Sequence, residues 1–390
     1  EVERNLGIRL SLEQIVAILE SLEFQVEVGS ATGNVQSVRV TVPDHRRDCT
    51  YPADLIEELA RIYGYDRIPV TEMADRLPPQ RANRDLELEE EVRDLLVGCG
   101  LQEVVTYSLT TLAREAALDP AGGDLPAGSY VVIANPITQE RSVMRRSLLS
   151  TVLETAAANL RFRDRVEIFE MGKVFLLEPG GELPDEPRHL SIVMTGPRDE
   201  RHWLAREEAG GPAEGAQSPD YFDLKGVVET LLDRLHVSGA VYEPATNPTF
   251  QPGRTARLRV GDPRAGSAEA TEIGILGELH LAVRDAFGLP NQRVAAAELD
   301  LEALLAQVPS TWRVEAVPAY PAVLQDLAVV VDEGVPAAVV QDLIAATGGF
   351  LLKEVRLFDV YRGDPVPEGK KSLAYALTFQ APDKTLRDAV

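Results

Sequence analysis

VPDHRRDCTYPADLIEELARIYGYDRIP, residues 42–69, carries a helix with its start and stop signals and a tight group of acidic side chains. PADLIEELARIYGY reads as the helix. Pro52 sits in its first turn and Gly64 suits its C-terminal end. Asp54, Glu57 and Glu58 fall at i, i+3 and i+4 and so share one helical face, and Asp48 lies in the approach and can fold back toward it. Four carboxylates gathered there repel one another unless a cation sits between them, and oxygen-only ligands favour a hard ion such as Mg²⁺ or Ca²⁺ over zinc. The alternative reading is a solvated acidic face at the positive end of a helix, which needs no metal.

On the N-terminal side, SLEQIVAILESL places Ile15, Ile18, Leu19 and Leu22 at helical spacing, with Ser11 and Gln14 forming a capping box. FQVEV and VRVTVP alternate as strands around the turn signal Ala31-Thr32-Gly33-Asn34. Residues 1–70 are therefore expected to form one small helix and strand domain. Pro78 and Pro79, with Pro69 just before, mark 71–83 as a linker.

Beyond the linker, residues 84–308 mix elements without regular βα alternation. A helix over 84–100 carries Leu86, Leu88, Val92, Leu95 and Leu96. EVVTYSLT (103–110) and YVVIANP (130–136) read as strands, SLLSTVLETAAANLRF (147–162) as a helix and VEIFEMGKVF (166–175) as an apolar strand. Residues 176–219, rich in Gly, Pro and charge, read as loop. FDLKGVVETLLDRL (222–235) is a helix, and ARLRVG and EIGILGEL are strands joined by a Gly/Ala-rich connection. The pattern argues α+β rather than a doubly wound sheet. Residues 317–390 read as a further unit: strand LAVVVD, helix AAVVQDLIAATG, strand LLKEVRLFDVY, strand SLAYALTFQ, then a helix starting at KTLRDAV. This is a ferredoxin-like β-α-β-β-α order without its last strand.

The formal net charge is −23, which argues against non-specific nucleic-acid binding by the chain as a whole. From residue 350 onward, however, seven Lys/Arg face six Asp/Glu. There Lys353, Arg356, Arg362, Lys370 and Lys371 interleave with Phe358, Tyr361 and Tyr375, as phosphate tracking and base stacking require. An ordinary amphipathic sheet reads equally well. Arg141, Arg145 and Arg146 in NPITQERSVMRRSLLSTVL suit an anion or an acidic partner, or a subunit interface. No Walker loop, Ser-His-Asp order or His/Cys metal signature occurs. Cys49 and Cys99 suit no zinc module and are expected as free thiols. No apolar run reaches the ~20 residues that span a bilayer, and no signal peptide opens the chain, so it is expected to be cytoplasmic with no membrane partner.

Taken in order, these stretches resemble the beta chains of bacterial phenylalanyl-tRNA synthetases. Residues 42–69 resemble the family's B5 domain. NPITQERSVMRRSLL, VEIFEMGKVF, YFDLKGVVE, QPGRTARLRVG and IGILGELH resemble its catalytic-like core, and YPAVLQDLAVVVDEGVP, LFDVYRG and PEGKKSLAYALTF resemble its ferredoxin-fold anticodon-binding domain. The resemblance implies a small metal-binding domain, a class II synthetase-like antiparallel sheet and a truncated ferredoxin-like domain. It also implies a non-catalytic subunit of an α₂β₂ ligase that uses ATP to join phenylalanine to tRNA(Phe), with the synthetic site on the alpha subunit. Mg²⁺ shared with that subunit is implied at Asp48, Asp54, Glu57 and Glu58, and tRNA contacts at Lys353, Arg356, Tyr361, Arg362, Lys370 and Lys371. Glu167 and Glu170 stand where a working class II strand needs arginine, so no phenylalanyl-adenylate is expected from the chain alone. Against the family pattern, the OB-fold and editing regions are expected to be missing, the last ferredoxin strand absent, and Gln325 to replace a usual arginine. Two rivals remain: a scaffold that kept the fold without joining an enzyme, and a nucleic-acid regulator built on residues 1–70.

Overall fold

The computed structural model describes residues 1–29, 37–70, 79, 81–122, 127–136, 138, 141–177, 183–198, 218–261, 270–312, 314 and 316–386. Several expected features lie outside them: the 31–34 turn, most of the 71–83 linker, much of the 176–219 loop, the Gly/Ala-rich connection at 262–269 and the end of KTLRDAV. The chain divides into two compact units, Glu1–Ala82 and Asn83–Val390.

In the first unit, α1 (Val2–Leu6), α2 (Leu12–Ser21) and α3 (Pro52–Tyr63) accompany an antiparallel pair, β1 (Gln25–Val28) and β2 (Val38–Thr41), in which Val26 faces Val40. The capping box at Ser11 and Gln14 forms in both directions. Leu19, Phe24, Cys49 and Leu59 make the core, so the turn before α3 is anchored by a buried thiol rather than by a metal cluster of cysteines.

The second unit is built on a seven-stranded sheet. In chain order its elements are α4 (Arg84–Gly98), β3 (Gln102–Glu103), β4 (Leu109–Thr110), α5 (Leu112–Ala116), β5 (Val143–Met144), α6 (Leu149–Asn159), β6 (Val166–Lys173) and β7 (Arg188–Thr195). They continue with α7 (Tyr221–Arg234), β8 (Ala240–Pro244), β9 (Phe250–Val260), β10 (Thr271–Leu279), α8 (Leu281–Ala286), β11 (Val294–Asp300) and α9 (Leu301–Leu305). The strand order is β3-β6-β7-β11-β10-β9-β8, antiparallel except for β3 against β6. The antiparallel sheet expected between 84 and 308 is therefore present. Its strands are covered on both faces. Leu190, Ile192 and Met194 of β7 pack with α4, α7 and α9, while Val193 packs with α6 and α8. That double burial accounts for the near-continuous apolar runs in strands that pair antiparallel.

Two expected strands are mostly not strands. Of the first, only Glu103 and Leu109–Thr110 belong to strands, and YVVIANP contributes a single bridge, Val132 to Val143. The reason is visible at Thr106, whose N–H goes to the Glu170 carboxylate instead of a neighbouring strand.

The ferredoxin-like part has β12 (Val323–Asp332), α10 (Ala337–Gly348), β13 (Leu352–Tyr361) and β14 (Lys370–Phe379), ordered β12-β14-β13. Leu373, Tyr375 and Leu377 face α10. The far edge of β12 pairs with no strand among the described residues, and Leu324 and Val330 on it are exposed. Residues 384–386 are not helical. No helix among the described residues is long and apolar enough to cross a membrane.

Candidate functional site

The acidic group of the first unit is held mainly by arginines. Arg46 donates through Nη2 to Asp48 Oδ2 and to Glu58 Oε1, each at 2.7 Å, and lies over the Phe24 ring. Arg61 reaches the other oxygen of Glu58 at 2.5 Å. The Arg46 guanidinium holds the Asp48 carboxyl far below its usual range, and Arg61, then Arg46, lowers that of Glu58. Asp54 is occupied differently. It accepts the N–H groups of Thr50 and Tyr51 at 2.7 Å, which fixes the start of α3 and lowers its pKa. Glu57 is exposed on the helix surface. The ligand atoms that do come within 4.8 Å of one another belong to Asp48, Glu58 and Cys49.

Taken alone, these residues do not fit a hard divalent ion. Two carboxylates are already bridged by a guanidinium, a third serves the backbone, the fourth stands apart, and the nearest further donor is a soft sulfur. The structure thus brings together two of the four predicted ligands and separates the other two.

The arginines of the second unit part company. Arg141 is half-buried, donates to the Leu109 carbonyl at 3.1 Å and lies over the Tyr107 ring. Arg146 is exposed and lies over Tyr130. Arg145 corrects the interface reading: at 2% exposure it is a core residue. It donates to Glu170 Oε1 at 2.8 Å, to the hydroxyls of Thr106 and Thr151, and to the Lys173 carbonyl. Gly172 makes this possible, because a Cβ there would collide with Arg145 Nη2.

Sequence reasoning missed two further carboxylates on the same segment. Glu298 accepts from the Ser147 hydroxyl, the Leu148 N–H and the His189 ring. Glu115 accepts from the Ser150 hydroxyl and the Arg146 N–H. Residues 145–151 are thus pinned by three carboxylates from distant elements. The only hint in the sequence was the polar Arg-Arg-Ser ahead of an apolar helix. Burial pushes Glu115 up to about 6 from its ordinary 4.5. The folded chain therefore holds the proton more tightly than the unfolded one. The stability this gives is complete below pH 4.5 and is lost as the pH rises through about 6. The loss by pH 7 is on the order of 2 kcal/mol. Urea unfolding at pH 4.5 and 7 should show wild type losing stability across this window relative to Glu115→Gln. Parallel curves for the two proteins would refute the assignment.

In the ferredoxin-like part the six predicted contacts are unequal. Arg362 forks onto Glu333, Lys370 pairs with Asp332 and Lys371 donates to the Glu333 carbonyl. Tyr375 is fully buried, with its hydroxyl on the Ala337 carbonyl, so it cannot stack on a base. Lys353 and Arg356 are exposed and have no side-chain partner among the described residues. Arg356 faces Ala376 and Tyr361 faces Ser372, which puts both on the sheet face away from α10, across a floor of Ser372, Ala374 and Ala376.

Three family models match the chain: "tRNA synthetase B5 domain" over residues 1–65, "Phenylalanyl tRNA synthetase beta chain CLM domain" over 68–301 and "Ferredoxin-fold anticodon binding domain" over 318–390. The chain is 40% identical to the phenylalanine–tRNA ligase beta subunit of Moorella thermoacetica across 98% of its own length, and 36% identical to that of Bacillus subtilis across all of it. It spans 45% of the length of each of these relatives. A pyrrolysyl-tRNA synthetase from Desulfitobacterium hafniense superposes over 57% of this chain and 68% of its own, with a TM-score of 0.41 at 19% identity, and carries no weight. With a model of that family covering most of its length, and B5 and anticodon-binding models on either side, the chain belongs to the phenylalanyl-tRNA synthetase beta-chain family.

Proposed function

We propose that this chain is a non-catalytic part of a phenylalanine–tRNA ligase. It scaffolds an alpha subunit within an α₂β₂ enzyme that spends ATP to attach phenylalanine to tRNA(Phe), and it presents its ferredoxin-fold sheet to the tRNA. The observation that carries this reading is the buried Arg145–Glu170 pair. A class II synthetase needs an arginine that can reach ATP and the reacting carboxylate as charge develops. On this sheet the strand position is a glutamate, and the nearby arginine is sealed against it. Subunit docking is supported by exposed Val105, Tyr107 and Val132, with Arg141 lying over the Tyr107 ring.

Purified alone, the chain is expected to give no ATP–pyrophosphate exchange and only weak, strongly salt-dependent tRNA binding. Co-purified with an alpha subunit, it should give tRNA charging at a mass of two of each chain. Exchange by the chain alone would falsify the non-catalytic reading, and failure to restore charging would favour a free-standing scaffold.

Mg²⁺ at Asp48, Asp54, Glu57 and Glu58 belongs in this proposal only as an ion completed by the alpha subunit. Millimolar Mg²⁺ should leave the melting curve of the chain alone unmoved, since Arg46 and Arg61 together already neutralise Asp48 and Glu58. The assembled enzyme should bind it saturably and lose it in Glu57→Ala. A saturable Mg²⁺ isotherm on the chain alone would contradict this.

A further inference from the structure

We propose that the cleft beside the start of α7 binds a free aromatic amino acid as its zwitterion. The cavity measures about 640 Å³, within the usual range for small-molecule sites. Its lining includes the aromatic Tyr221, Phe222 and Tyr242 and the charged Arg254, Glu278 and Arg293. Tyr221 and Phe222 meet edge to face at 5.3 Å, and Phe222 remains 74% exposed, so its ring is open to a ligand in the cleft.

The polar side is built around a carboxylate. The Glu278 side chain is only 6% exposed, while those of Arg254 and Arg293 are 50% and 40% exposed. Arg254 Nη1 lies 2.5 Å and Arg293 Nε 3.5 Å from the same oxygen, Glu278 Oε2. Glu278 Oε1 accepts no hydrogen bond among the described residues. A buried carboxylate thus holds two guanidiniums at the cleft with donors to spare and keeps one acceptor open. Asp220, 3.7 Å from Arg293 Nη1, supplies a second carboxylate, so the lining is formally neutral.

That balance decides the ligand class. A polyphosphate would set several negative charges against a lining with no net positive charge. A zwitterion places its carboxylate on Arg254 and Arg293, its ammonium on Glu278 Oε1, and an aromatic side chain against the Tyr221–Phe222 wall. The inference is independent of the ligase reading: the cleft lies wholly within this chain, away from the Arg145–Glu170 pair on which that reading depends.

The test is isothermal titration of the full chain, without a partner, using L-phenylalanine, L-tyrosine, L-tryptophan, N-acetyl-L-phenylalaninamide and AMP. One aromatic amino acid should bind saturably at one site per chain. The amide, which lacks both charges, should bind at least about 10-fold more weakly. Phe222→Ala and Arg293→Gln alter exposed side chains and should each weaken binding by about 10-fold with the melting curve preserved. Absence of saturable binding by all three amino acids, unchanged affinity in both variants, or tighter binding of AMP would each overturn the proposal.

Discussion

Replacing Arg145 by alanine is expected to destabilise the second unit by about 3–5 kcal/mol, the cost of leaving one member of a buried ion pair unpaired. For a unit of this size the melting temperature should fall by on the order of 10 °C. Arg145 and Glu170 are 2% and 1% exposed, and without the guanidinium Glu170 keeps, among the described residues, only the Thr106 N–H and hydroxyl as donors. Replacing both with methionine should be far milder than either single change, because no uncompensated charge is left behind. Gly172→Ala should act like a partial Arg145→Ala, since its methyl must push the guanidinium off Glu170. Thermal melts of the four proteins decide it. If the double variant is as damaged as the singles, residues 106, 145, 151 and 170 matter for shape rather than for paired charge.

Reversing charge at Lys353 and Arg356 together should raise the KM for tRNA in the reconstituted ligase by about 30-fold, equivalent to about 2 kcal/mol of lost phosphate contact. kcat should hold, because the synthetic site is proposed on the alpha subunit and these two side chains have no side-chain partner among the described residues. The control is Arg362→Gln. Arg362 is already forked onto Glu333, whose carboxyl it lowers, so its loss should change KM little. Measured in rising salt, the double variant should also show a shallower slope than wild type. Equal effects from Arg362→Gln and the double variant would sink the distinction between paired and unpaired cations.

Much of the local structure was legible in the chain because its cause is local. The capping box at Ser11, the Pro52 and Gly64 boundaries of α3 and the β-α-β-β order after residue 317 each depend on residues a few positions apart. The helices over 84–98 and 221–234 followed from the spacing of apolar side chains. Residues 103–110 and 130–136 misled for the same reason. Their alternation fits a strand, but a strand needs a neighbour with free backbone groups, and the spacing of one segment says nothing of what lies beside it.

The site residues divide along that line. Asp54, Glu57 and Glu58 do occupy successive turns of one helix, as their spacing requires. Their partners are another matter: Arg46 folds in from the preceding loop, and Asp54 turns back to the Thr50 and Tyr51 amides. Arg145 and Arg146 are adjacent in sequence, yet one is sealed in the core and the other faces solvent. Of the six basic and aromatic positions in the ferredoxin part, the pairing of β14 with the distant β12 sets which are neutralised, by carrying Asp332 to Lys370 and Glu333 to Arg362.

By itself, then, the sequence determined the main helix boundaries and the mixed α+β character, because capping, turn chemistry and side-chain period act over a few residues. Only the tertiary structure decided which charges remain available, since a charge is cancelled or left open by whatever side chain the fold carries to within about 3 Å of it.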